Sequence, residues 1–128
     1  MTYSFTEVRG VPVILIRFAG RVDHARLIEV LPELMREPRF AGGIPAVWDL
    51  READLSGFDL AEMQKLAAYL KDLGGRGDAR VAMVIGHDWE RPLMELWSEF
   101  LGLAVRQSRK ICFDLDEALH WAATGADA

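Results

Sequence analysis

Cysteine is almost missing from this chain: Cys112 is the single one among 128 residues. That excludes an intramolecular disulfide and a cysteine-based metal site, and the apolar, strand-like run around Cys112 points to a buried, inert thiol. Histidine is scarce as well. His24, His87 and His120 fall in different elements, without the i, i+3 or i, i+4 spacing that lets one helix present two ligands, so neither a metal site nor a cofactor is expected. No apolar run approaches the roughly 18 residues of a membrane span. The chain opens directly on strand-like Tyr3-Ser-Phe-Thr-Glu-Val8, so neither export nor integral membrane insertion is expected, and a cytoplasmic location is the default. Positive charge is not in excess. A net charge of -5 argues against a nucleic-acid surface, although twelve of the fifteen basic residues are arginine.

Catalytic signatures are missing too. No serine or cysteine stands in a nucleophile-elbow context, and no glycine-rich phosphate cradle follows a strand. Gly74-Gly-Arg-Gly77 follows a helix, where helix termination explains it. The neighbouring His87 and Asp88 are the one pair suited to acid/base work, and enzymatic activity is not expected. What is present is a single-domain length with 51% hydrophobic and 27% charged residues, enough to close a core.

The chain centres on Ala46-Val-Trp-Asp-Leu-Arg-Glu-Ala-Asp-Leu-Ser-Gly-Phe-Asp-Leu-Ala-Glu62. Val47, Trp48 and Leu50 suit a buried strand, Asp49 brings a carboxylate near that strand's carboxyl end, and Asp59 with Glu62 forms a capping box for the next helix. Upstream, Tyr3–Val8 and Val13–Ala19 read as a hairpin across Arg9-Gly10, the first strand with a polar face that suits a sheet edge. Arg17, on the otherwise apolar second strand, requires a carboxylate or an exit to solvent. Asp23 can cap a helix carrying Leu27, Ile28, Leu31, Leu34 and Met35 and ended by Pro38 and Gly42-Gly43. Pro32 predicts a kink near residues 28 to 32, or a restart there.

Downstream, Leu60, Met63, Leu66, Ala67, Leu70 and Leu73 make one helical stripe closed by Gly74-Gly75, and Arg76-Gly-Asp78 is a surface turn. Arg80–Gly86 reads as a doubly apolar strand ending in His87-Asp88-Trp89-Glu90. A helix from Arg91 to Gly102 follows, with Pro92 in its first turn and Leu93, Leu96, Trp97, Phe100 and Leu101 facing inward. Val105–Phe113 is a last strand, placed at an edge because Gln107-Ser-Arg-Lys110 is too polar for the centre. Asp114 and Glu117 cap a short helix with Leu115, Ala118, Leu119 and Ala122. The order ββαβαβαβα calls for a single α/β sheet over residues 1–124, with an antiparallel hairpin and then parallel strands joined by right-handed crossovers, followed by a polar tail at 125–128.

Taken in this order, the chain resembles the STAS domains of anti-sigma-factor antagonists, in particular the SpoIIAA-like small stand-alone bacterial proteins. The resemblance rests on Val13-Ile-Leu-Ile-Arg-Phe-Ala-Gly-Arg-Val-Asp23, Pro38-Arg-Phe leading to Val47-Trp-Asp-Leu50, and Ala53-Asp-Leu-Ser-Gly57. It implies a non-enzymatic recognition module. Phosphorylated members carry Asp-Ser-Ser/Ala-Gly, whereas here Leu55 follows Asp54 and Leu60 follows Asp59, so a phosphoserine switch is not expected and Ser56 lies one residue off. The subgroup is also similar to lipid-carrying SEC14-type folds.

Candidate partner-binding residues are therefore Asp49, Arg51, Asp54, Ser56, Asp59, His87 and Asp88, in the turns after the third and fourth strands. Asp49 can equally tie down its own loop, and Arg51 and Asp54 can be ordinary solvated residues. Trp89, Leu93, Met94 and Trp97 load the fourth-strand helix with more apolar surface than one buried face requires. They are candidates to cover a protein partner, a second copy in a homodimer, or an apolar lipid-like molecule, the last in a carrier or sensor peripheral at the membrane.

Overall fold

A computed structural model describes residues 1–41, 43–73, 79–104 and 108–127 of the chain. The elements are β1 (Thr2–Val8), β2 (Val11–Arg21), α1 (His24–Met35), α2 (Pro38–Ala41), β3 (Ala46–Asp54), α3 (Leu60–Leu73), β4 (Val81–Val84), α4 (Glu90–Ala104), β5 (Arg109–Cys112) and α5 (Leu115–Thr124). They build one five-stranded sheet in the order β1-β2-β3-β4-β5. β1 and β2 are antiparallel and the remaining pairs parallel. The expected architecture holds, with β1 and β5 at the two edges.

The hairpin closes with both turn residues in the left-handed region, Arg9 at φ 51° and Gly10 at φ 79°. Two such residues make the tight turn whose twist matches paired strands, and this sets the register of Val8 against Val11. Beyond it, the strand order advances in one direction. Successive right-handed crossovers then put their helices on one face. The larger core accordingly joins Leu27, Leu31 and Leu34 of α1, Met63 and Leu66 of α3 and Met94, Trp97 and Leu101 of α4 with Ile14, Ile16, Leu50 and Met83 of the sheet. The opposite face is covered by α5, whose Ala118, Ala122 and Ala123 lie on Val13, Leu15, Val47, Ala82, Val84 and Cys112. Small residues let α5 sit close. Its carboxyl end is held by Arg80, which donates to the carbonyls of Ala122 at 2.9 Å and Ala123 at 3.0 Å, a cation where the helix dipole is negative. Cys112 is buried there, and desolvation pushes its thiol up to about 11.

Several expectations are corrected. α1 runs through Pro32 as one continuous helix without a restart there, and Leu27, Leu31 and Leu34 keep a single buried row along it. Residues 38–41 form the short α2 where a plain stop was expected. Ile28, Leu60 and Leu96 are exposed rather than inward, whereas Met94 is buried. The inward row of α4 is Glu90, Met94, Trp97 and Leu101, which places Leu96 one row aside.

The largest correction concerns β3, which continues past Leu50 to Asp54. Pairing runs Arg17 to Asp49 and then Ala19 to Glu52, so β3 carries an extra residue at a bulge. The bulge shifts the side-chain parity, and Trp48, Leu50 and Ala53 all reach the same core. Asp49 therefore sits in mid-strand rather than near its end. The proposed stop at Gly74-Gly75, the turn at Arg76-Gly77-Asp78 and residues 105–107 of the last strand lie outside the described residues. Among the described residues no helix is long and apolar enough to cross a membrane.

Candidate functional site

Parallel pairing brings the carboxyl ends of β2, β3, β4 and β5 to one edge of the sheet, and with them the amino ends of α1, α3, α4 and α5. Each of these helix starts is capped from within. Asp23 Oδ1 accepts from Arg26 N at 2.9 Å, Asp59 Oδ1 from Glu62 N at 3.0 Å and Asp114 Oδ1 from Asp116 N at 3.3 Å. α4 is capped differently. The Glu90 carboxylate reaches back to accept from Gly86 N at 3.3 Å and His87 N at 3.0 Å, although it is only 2% exposed.

Glu62 also departs from the expected capping box. Its Oε2 accepts from the backbone N of His24 at 2.9 Å and lies against His24 Nδ1, which ties the start of α3 to the start of α1. These bonds from His24 hold the Glu62 carboxyl below its usual range. The turns are packed on one another as well. A Cβ on Gly86 would meet the Arg51 carbonyl at 3.2 Å, and one on Gly57 would meet the Arg21 guanidinium at 3.4 Å. The neighbouring turns thus form one braced edge. Since the strand order never reverses, no crevice of the doubly wound kind opens along it.

Asp49, 6% exposed, is enclosed by arginine. Its Oδ1 accepts from Arg51 Nε at 2.9 Å and Arg51 N at 3.2 Å, its Oδ2 from Arg51 Nη2 at 2.8 Å, and Arg17 Nε stands 3.9 Å away. Arg17 thus has both the carboxylate and the exit to solvent that its position demanded. The hydrogen bonds from the Arg51 side chain, together with both positive charges, hold Asp49 below its ordinary value of 3.8. Such a group adds stability above its unfolded value, and that contribution is lost as pH falls through the lower folded one. Replacing Asp49 with Ala is expected to cost about 1 kcal/mol, because both arginines can return to water. Asp54→Ala should leave the unfolding midpoint in place. Urea titrations across the acid range check both: the gap between wild type and Asp49→Asn should close below pH 3.8, and equal midpoints for Asp49→Ala and Asp54→Ala would contradict the assignment.

The remaining candidates are at the surface. Asp54 is exposed and accepts from Ser56 N at 3.0 Å and Ser56 Oγ at 2.6 Å, which lowers its pKa. Ser56 is thus a turn residue with its hydroxyl engaged. Ser56→Asp sets a carboxylate beside Asp54, and it should neither stabilise the fold nor switch its behaviour. Stoichiometric phosphate on Ser56 in protein from its native cell would overturn that. Arg51 is exposed beside Asp49, and Asp59 is exposed at the cap of α3. His87 and Asp88 are exposed on the β4–α4 turn, where no side-chain hydrogen bond joins them among the described residues.

The four apolar candidates separate. Trp89 is 58% exposed, Leu93 half-buried, and Met94 and Trp97 are buried. Met94 and Trp97 line an apolar gap with Phe18, Trp48, Phe58 and Met83 whose volume is about 20 Å³. That holds roughly one water, whereas ligand sites take on the order of 300–1,000 Å³. Leu60, 50% exposed, stands with Trp89 on this edge, and Phe113 is exposed after β5. The sequence reading missed Glu90, the His24–Glu62 link and exposed Leu60. Glu90 had a local signal, a glutamate at the first position of a helix and three residues after His87; the other two depend on contacts distant in sequence.

No family model matches the chain, and no curated protein matches it. Among solved structures it is similar to an uncharacterised protein of the DUF3478 family with a SpoIIAA-like fold from Shewanella loihica PV-4, at 21% identity and a TM-score of 0.67, over 94% of this chain and 92% of that one. Sheet order, the antiparallel hairpin and this likeness agree that the chain has a SpoIIAA-like α/β fold.

Proposed function

We propose that the chain is a non-enzymatic recognition module that binds a protein partner through the turns after β3 and β4, without a phosphoserine switch. The observation that carries this reading is the braced edge itself. Two large apolar side chains, Leu60 and Trp89, are exposed where the turns after β3 and β4 also carry exposed Asp54, Asp59 and Asp88, and these turns are fixed by Glu90 and by the Asp54–Ser56 bonds. An aromatic anchor with a polar rim on a preorganised frame is the usual make-up of a binding hot spot. A partner that is apolar at its centre and charged at its margin fits that surface. The carrier reading has less support, since the space beneath α4 holds about 20 Å³.

A photo-crosslinking residue placed at position 60 or 89 in cells should capture a different protein, and the same group at Thr124 on α5 should not. Equal capture from Thr124 would remove the case for this edge. Recovery of about one apolar molecule per chain on denaturing extraction would favour a carrier instead.

A further inference from the structure

The two edges of the sheet differ in how they are guarded. β5 is four residues long, begins Arg109-Lys110, and has Lys110 paired with Glu117 and Asp127. Short length and charge are the usual protections against strand addition. β1 has neither. It spans seven residues, Thr-Tyr-Ser-Phe-Thr-Glu-Val, without proline, lysine or arginine, and most of it is exposed.

Which of its backbone groups are free follows from the hairpin. A two-residue turn makes Val8 and Val11 a hydrogen-bonded pair, and bonding then alternates, so Thr2, Ser4, Thr6 and Val8 bond to β2. The other neighbour of β2 agrees: Ile14 N donates to the Pro45 carbonyl on the β3 side, leaving Val13 and Leu15 to face β1. The N–H and C=O groups of Tyr3, Phe5 and Glu7 therefore point away from the sheet, and among the described residues none of them has a hydrogen-bond partner.

We propose that two copies of this chain associate through β1, antiparallel across a two-fold axis at Phe5, so that their sheets become continuous. The outward set 3, 5, 7 is symmetric about Phe5. Phe5 then pairs with the partner's Phe5, and Tyr3 with the partner's Glu7, which satisfies every outward donor and acceptor on both strands. Only this centre overlaps the whole of Thr2–Val8 with its copy. It also keeps the single charge of the strand opposite a tyrosine, whereas an axis at Glu7 would oppose two carboxylates. On the helix side, the edge-on Tyr3 and Phe5 rings, 6.2 Å apart, would continue across the axis, with Arg39 seated 3.6 Å from the Phe5 centroid. Such an isologous contact closes on itself and leaves β5 as the outer edge of both copies.

The test is amide hydrogen exchange of the full chain from micromolar to millimolar concentration, alongside sedimentation. Ser4, Thr6 and Val8 should be protected at every concentration. Tyr3, Phe5 and Glu7 should gain at least roughly tenfold protection as dimer forms. Tyr3→Pro removes one outward donor without touching the β2 ladder, a place where an edge strand tolerates proline; it should weaken the dimer at least roughly tenfold with the Ser4 and Thr6 protection kept. A monomer at all concentrations overturns the proposal and leaves this edge to a strand of another protein. A dimer without the alternating gain at residues 3, 5 and 7 overturns it as well.

Discussion

Replacing Trp97 with Ala is expected to lower the stability of this protein by about 3–5 kcal/mol, the range for removing a large buried aromatic side chain. Trp97 is 4% exposed, meets Phe58 edge-on at 5.3 Å, and fills the space between α4, the sheet and the β3–α3 turn. The gap already beside it is about 20 Å³, so truncation opens a cavity the surrounding helices cannot close without moving. Exposed Leu96, one position away on α4, serves as the control and should cost less than about 1 kcal/mol as Leu96→Ala. Urea unfolding of both variants measures the difference. If Trp97→Ala cost as little as Leu96→Ala, α4 would be a loose cover over the sheet, and the carrier reading would regain its footing. The effect also reaches the proposed binding edge, since Phe58 directly precedes the cap residue Asp59.

The second large effect is expected at Glu90. Its carboxylate is the acceptor for two backbone N–H groups at the start of α4 and lies almost wholly out of solvent. Glu90→Ala leaves Gly86 N and His87 N facing a space without an acceptor. A buried donor stripped of a charged partner costs more than an ordinary lost hydrogen bond, and about 2–3 kcal/mol is expected. Glu90→Gln keeps a neutral acceptor at the same reach and should lose about half as much. Faster amide exchange at Gly86 and His87 would accompany either change, with Glu90→Ala the larger. Because the same turn carries Trp89, Glu90→Ala should weaken partner capture at position 89 as well. An unchanged unfolding midpoint for Glu90→Ala would mean that water replaces the carboxylate at little cost.

Much of the fold was legible in order of appearance. Alternation marked β1, doubly apolar runs marked β2 and β4, and the stripe from Met63 to Leu70 marked α3, because periodicity reports which face is buried without reference to the partner. Asp23, Asp59 and Asp114 were legible as caps, since each bonds an amide two or three residues ahead. The candidate site was legible as a location more than as a set of roles. Asp49 was singled out as a carboxylate of interest, but its burial beneath Arg17 and Arg51 could not be read from spacing. The pairing of Arg17 with Asp49 requires β2 and β3 to lie side by side in one register.

The order of the five strands and four longer helices, the edge positions of β1 and β5, and the helix starts were legible in the sequence, because each rests on side-chain period, strand polarity or capping within four residues; the short α2 was not. Where β3 ends and where the second carboxylate of each expected capping box goes depended on contacts between distant elements. β3 extends to Asp54 because the end of β2 is there to pair with it. The Glu62 carboxylate turns to His24, 38 residues away, because two helix starts meet at one sheet edge. Glu117 goes likewise to Lys110 on β5. A local pattern states what a residue can bond to; which partner it takes depends on what the fold brings within reach.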